Sequence, residues 1–169
     1  MSLHHDLLEQ ARHLAQRERR RPRQASLRRS ISAAHYAVFH LLAYEGASVL
    51  ASGTGVAALR RMFTRGFRHD EMKAVSQAVA RRQWPPRVAA NVGVVPIPHD
   101  LAIIAERFVT LQDRRHDADY DVMQRYSRAE VETLVDHADD VFRTWATIRK
   151  QPAARIFLVA LFAGRKIKA

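Results

Sequence analysis

Apolar residues in this chain recur at intervals of three and four, and no stretch alternates with period two for long enough to build a sheet. A three-to-four interval puts one stripe along one side of an α-helix, and a stripe must be covered by another element. With no sheet to supply the cover, helices have to pack on helices.

Leu3, Leu7, Leu8, Ala11, Leu14 and Ala15 mark a first amphipathic helix over Leu3 to Arg17, interrupted by Arg19 to Arg23 with Pro22 inside. Leu27, Ile31, Ala34, Val38, Leu41 and Leu42 carry a second as far as the small residues around Gly46. Gly53 and Gly55 bracket a turn; Val56 to Phe63 then reads as a short helix ending at Gly66, and Asp70 as an N-cap ahead of Met72, Val75 and Val79. Gln83 to Pro98, with four prolines and Gly93, is expected to be irregular.

Leu101, Ile104, Ala105, Phe108 and Leu111 make a further stripe, of which Arg115 is the next member, and the Asp-rich stretch 117–121 is expected to end it. Ser127 and Glu130 have the spacing of a capping box, opening a helix whose apolar face runs from Val131 through Trp145 to Ile148. Pro152 stops it, and Ala153 to Phe162 forms a last apolar helix before the basic tail Arg165-Lys166-Ile167-Lys168. The expected architecture is all-α: an up-and-down antiparallel bundle of four main helices with short accessory helices, in one domain over 1–169 with the tail from about 163.

A chain of 169 residues suffices for one core, and it has no cysteine, which excludes disulfides, thiolate metal sites and a cysteine nucleophile. The longest apolar run, Ile156 to Ala163, falls well short of the roughly twenty residues a membrane span needs. The N-terminus lacks the order of a secretory signal, so the chain is expected in the cytoplasm. Lys and Arg outnumber Asp and Glu by 28 to 17, mostly through arginine, whose planar fork suits phosphate. Charge alone leaves two readings open, an anionic partner such as nucleic acid or a solvated basic face.

Two places could carry chemistry. On the second helix Arg28, Arg29, Ser32, His35, Tyr36 and His40 flank the core face; they form either a groove wall or a partly buried edge that satisfies its own hydrogen bonds. His35 and His40, five apart, are a poor chelating pair, and no metal site or cofactor is expected. On the later helix Arg115 continues the apolar stripe, so its guanidinium points inward and needs an anion. Asp119 can supply it from within the protein, or a phosphate can supply it from outside.

Arg29-x-x-x-Ala33-Ala34-His35-Tyr36-Ala37-x-Phe39-His40 followed later by Arg115-x-x-Ala118-Asp119-Tyr120 resembles the HEPN superfamily over roughly Leu3 to Ile148. The resemblance implies a bundle of four or five helices, often linked to nucleotidyltransferases, toxin-antitoxin pairs or defence loci. Phe67 to Lys73 also looks like the insert of one bacterial subgroup. Active members carry an arginine followed four to six residues on by a histidine, at a dimer interface where two copies cleave RNA without metal. Here Arg115 matches the arginine and Tyr120 stands where the histidine belongs.

Unperturbed tyrosine titrates near 10 and histidine near 6.5, so the exchange removes the natural proton carrier at neutral pH. Candidate catalytic groups are therefore Arg115, His116 and Tyr120, and candidate ligand-binding groups are Arg29, His35, Tyr36, His40, Arg114, Arg115, Asp119 and Tyr120. The expected function is binding of RNA or a nucleotide in a basic groove of a homodimer, with an antitoxin or nucleotidyltransferase as partner; Trp145 and the last helix offer contact area for the second copy. The alternatives are a metal-independent ribonuclease using His116, His35 or His40, and a structural interaction module. No phosphate-cradling glycine loop, zinc-protease motif or serine elbow is present. Asp117, Asp119 and Asp121 begin like a calcium loop, but Val122 and Arg128 stand where its glycine and glutamate should be.

Overall fold

A computed structural model of the chain describes residues 2–163, so the basic tail Arg165–Lys168 lies outside the described residues. The described residues form an all-α helical bundle without strands. Eight helices lie among them: α1 Leu3–Gln16, α2 Gln24–Leu50, α3 Ala57–Gly66, α4 His69–Ala80, α5 Pro86–Val92, α6 His99–Tyr120, α7 Arg128–Ile148 and α8 Pro152–Ala163. None of the described helices is long and apolar enough to cross a membrane. Two compact units divide the described residues, one within 2–41 and 107–143, the other within 42–106 and 144–163, and α2, α6 and α7 supply residues to both.

In the first unit α1, the first part of α2, the last part of α6 and most of α7 run alternately up and down. The Ser30 hydroxyl donates to the Ala11 carbonyl at 2.7 Å, fixing α2 against α1. Arg28 near the start of α2 reaches the end of α6, while Arg107 of α6 pairs with Asp140 of α7 at 2.5 Å and Arg12 of α1 pairs with Asp139. Every neighbouring pair is therefore antiparallel. Leu8, Ala11, Leu27, Ile31, Val38, Phe108, Leu111, Val131, Val135 and Val141 are buried, each on the stripe the sequence assigns to it.

The capping box at the start of α7 forms as its spacing requires. The Ser127 backbone N–H donates to Glu130 Oε2 at 2.7 Å and the Glu130 N–H to Ser127 Oγ at 3.2 Å, satisfying two amides that the first turn leaves open. The Ser127 bonds draw the Glu130 carboxyl below its ordinary pKa.

The expected break at 117–121 does not occur where the aspartates begin. α6 continues to Tyr120, and the Asp121 N–H still donates to the Asp117 carbonyl at 2.9 Å. Asp119 is held one turn from Arg115 by charge, and Arg28 caps the helix end from outside; both offset the weak helix propensity of the Asp residues.

In the second unit Gly46 and Gly66 permit close approach of aromatic rings. A Cβ on Gly46 would stand 2.5 Å from Phe67 Cζ, and one on Gly66 would stand 2.6 Å from Phe162 Cε2. Phe63 and Phe67 both lie 5.3 Å from Phe162 between ring centroids, and α4 packs on α8. Phe67 to Lys73 thus anchors the start of α4 through its buried ring.

Three sequence expectations need correction in this unit. Gln83–Pro98 is not wholly irregular: Pro86 occupies the first turn of α5, where its missing N–H costs nothing, and Gly93 at φ +69° ends it. Asp70 is inside the first turn of α4 instead of capping it, since the N-cap is Arg68. Trp145, at 2 % exposure, is buried and offers no contact area to a second copy, while α8 buries most of its apolar residues and leaves Ile156, Val159 and Phe162 partly exposed.

Candidate functional site

Successive residues of an α-helix turn by about 100°, so Arg28, Ser32 and Tyr36, four apart, climb one side of α2 with a drift of about 40° per step. The last two turns of α6 face them with Arg115, Ala118 and Asp119, and the two helices with the 121–125 segment enclose a cleft of about 810 Å³. All of these residues belong to the first unit.

A chain of polar contacts crosses the cleft. Ser32 Oγ donates to Asp119 Oδ1 at 2.7 Å, Asp119 Oδ2 lies 2.8 Å from Arg115 Nε, and Arg115 Nη2 donates to the Tyr36 hydroxyl at 2.8 Å. The Nε–H is not aligned on the carboxylate, so that contact is an ion pair without a linear hydrogen bond. The guanidinium carbon sits 5.3 Å from the centre of the Tyr36 ring and 5.9 Å from that of Tyr120. With its side chain 20 % exposed, Arg115 is held in place and still meets solvent in the cleft.

Arg28 does something different. Its Nη1 donates to the Ala118 carbonyl at 2.7 Å and its Nη2 to the Asp121 carbonyl at 2.9 Å, with Val122 and Gln124 carbonyls also in reach. A cation on the last carbonyls of a helix meets the negative end of the helix dipole, so Arg28 is the C-terminal cap of α6. Gln24 fixes the same segment by a two-way amide pair, donating to the Tyr126 carbonyl at 2.8 Å and accepting from the Tyr126 N–H at 2.9 Å. Neither role is visible in the spacing of one helix, because both partners come from a segment about a hundred residues away.

Arg29 and Arg125 line the cleft with no ion-pair partner among the described residues. Four guanidinium groups, those of Arg28, Arg29, Arg115 and Arg125, therefore face one carboxylate, Asp119. Arg125 was not among the residues singled out by sequence; only its position on the connection, brought round by Arg28 and Gln24, puts it there.

Of the residues expected to act together, Arg29, Tyr36, Arg115 and Asp119 meet in the cleft. His35 does not: it is fully buried against Phe108, with ring centroids 5.6 Å apart, because it is turned about 100° from Tyr36 toward the core. His40 is half-buried beside Tyr36, where burial pushes its pKa down, and it does not line the cleft. His116 and Tyr120 pack together on the outer side of α6 with ring centroids 4.9 Å apart; Tyr120 is 66 % exposed. Arg114 faces a separate hollow of about 250 Å³ with Tyr126 and His137. Burial raises the Tyr126 phenol, with Asp117 adding to the effect.

No group of three or more side chains suited to a metal ion occurs among the described residues. No family model, curated protein or solved structure matches the chain.

The cleft can hold an anion by charge and by donors from Arg29, Arg115 and Arg125. Tyr36 lines the cleft, while Tyr120, outside its lining, reaches the Arg115 guanidinium from the outer side of α6.

Proposed function

We propose that this chain is a HEPN-like module of the cytoplasm that binds RNA or a nucleotide by its phosphates, working as a homodimer in a toxin-antitoxin, defence or stress system. The observation that carries the reading is the charge balance of the cleft, in which Arg29 and Arg125 have no ion-pair partner among the described residues and Arg115 is braced by Asp119 and Tyr36. A planar guanidinium matches a phosphate edge with two donors, and a braced one loses less freedom on binding. In this reading Arg115 contacts phosphate, Asp119 and Ser32 orient it, Arg29 and Arg125 neutralise the neighbouring charge, and Tyr120 offers a ring on which a base can stack.

Binding without efficient turnover is the reading favoured here. His35 is enclosed in the core, and His116 is turned about 100° from Arg115 because α6 continues past both residues. The ribonuclease alternative stands if RNA is cut in the presence of a chelator and a His116→Ala variant stops the cutting.

The test is titration with single-stranded RNA and with a mononucleotide over a series of salt concentrations. For RNA, Arg29→Ala and Arg115→Ala should each flatten the logarithmic salt dependence by about 0.7, the value of one lost phosphate contact on a single strand. Slopes equal to that of the unaltered protein would remove both residues from the site.

A further inference from the structure

Beyond the cleft, the first unit ends in a tip built from two connections, 17–23 between α1 and α2 and 121–127 between α6 and α7. Side chains lace them together. Arg128 at the start of α7 donates to the Glu18 carbonyl and, at 3.1 Å, to the Arg19 carbonyl; Gln24 and Tyr126 exchange two bonds; Arg28 gathers four carbonyls between Ala118 and Gln124.

The tip has an unusual composition. Segments 17–29 and 119–128 together hold nine arginines against three carboxylates. All three carboxylates are engaged: Glu18 accepts from the Ser26 hydroxyl at 2.8 Å, Asp119 pairs with Arg115, and Asp121 accepts from the Met123 N–H at 3.0 Å. Arg19, Arg20, Arg21 and Arg125 have no ion-pair partner among the described residues, and the first three are exposed. On the connection that carries Arg125, Val122 is 83 % and Met123 84 % exposed, and Arg28 and Asp121 hold that connection in one shape.

Two adjacent apolar side chains held out into water beside a cluster of arginines suit a partner that offers hydrocarbon and negative charge at the same depth. A lipid surface with anionic headgroups has that profile: the apolar pair enters the acyl boundary while each arginine meets a headgroup. A nucleic acid would use the arginines but leaves the exposed Val122–Met123 pair without a favourable contact. Lying on such a surface needs no membrane-spanning helix.

We propose that the 17–23 and 121–127 tip docks this protein on anionic membrane surfaces, with Val122 and Met123 inserted and Arg19, Arg20 and Arg21 on the headgroups. This goes beyond the proposed cleft function: Val122 borders the cleft, but Met123, Arg19, Arg20 and Arg21 do not line it, and Arg115 is no part of the tip.

The experiment is co-sedimentation of the whole chain with vesicles of phosphatidylcholine alone or mixed with phosphatidylserine. The protein should sediment with the mixed vesicles only, and less so as salt rises. Val122→Ser with Met123→Ser should lower partitioning about tenfold or more, and each of Arg19→Gln, Arg20→Gln and Arg21→Gln about fivefold, while Arg115→Ala leaves it unchanged. All of these side chains are exposed or outside the tip, and unchanged helical circular dichroism checks the fold of each variant. Partitioning that ignores the serine pair, or absence of any partitioning onto the mixed vesicles at low salt, overturns the proposal. So does RNA binding that is lost in Met123→Ser alone, a side chain outside the cleft lining, which would make the tip a nucleic-acid surface.

Discussion

Arg115 Nε lies 2.8 Å from Asp119 Oδ2, one turn further along α6, while Ser32 of α2 donates to the other carboxylate oxygen. The carboxylate therefore links two helices through a single charged side chain. Replacing Ser32 by Ala removes one of its bonds and leaves the ion pair, and is expected to cost about 1 kcal/mol of stability. Chemical denaturation of the variant measures this, and a loss no larger than that of an unrelated surface substitution would show that the bond does not hold α2 to α6.

Arg28 is expected to matter more for folding than Arg115. Its removal strands the Ala118, Asp121 and Gln124 carbonyls at the end of α6 and takes a cation from the helix dipole. Arg28→Ala should lower stability by about 2–3 kcal/mol, on the scale of hydrogen bonds to a charged group, and Arg28→Lys should recover only part of it because an ammonium cannot fork across several carbonyls. Urea midpoints of the three proteins decide the matter; full rescue by lysine would mean that charge alone is needed.

Gly46 is expected to resist substitution although it lies in a helix, where alanine is ordinarily favoured by about 1 kcal/mol. A Cβ there would stand 2.5 Å from the ring of Phe67, which is buried and packed against Phe162. The overpacking, about 1–3 kcal/mol, should outweigh the propensity gain. A Gly46→Ala protein that melts at or above the temperature of the parent would show that the ring can shift freely.

Stability should decline as pH falls below 6.5, before most carboxylates titrate. His4 is depressed from that ordinary value by burial, and further by His5 and His40, with Asp6 opposing; His40 is depressed by burial. A depressed histidine is neutral in the folded chain, while the unfolded chain takes up its proton at the ordinary value. The unfolded state thus binds more protons in the window below 6.5, and the stabilisation present above it is lost as pH drops through the folded-state values. Urea midpoints between pH about 7 and about 5.5 should show the decline, and His4→Gln should flatten it. An unchanged slope in that variant would assign the effect to other groups.

Helix existence was legible because each apolar stripe meets its periodic partners within one segment. Leu27, Ile31 and Val38 are buried as their spacing requires, and the Ser127–Glu130 box closes within three residues. The aspartates at 117–121 misled because local propensity is weak against a cap delivered from elsewhere: Arg28 lies 90 residues before the Ala118 carbonyl that it holds. Pro85 and Pro86 misled in the same direction, since a proline that breaks a helix interior is welcome in its first turn.

Sequence by itself determined that this protein is helical, which faces of its helices are apolar, and that its surface is rich in arginine, because these depend on residues a few positions apart. Only the tertiary structure decided which arginines share a cleft. Arg29, Arg115 and Arg125 meet there while Arg114 and His35 do not, since a turn of about 100° per residue sends neighbours to different sides and the docking of α2 against the end of α6 selects the side that counts.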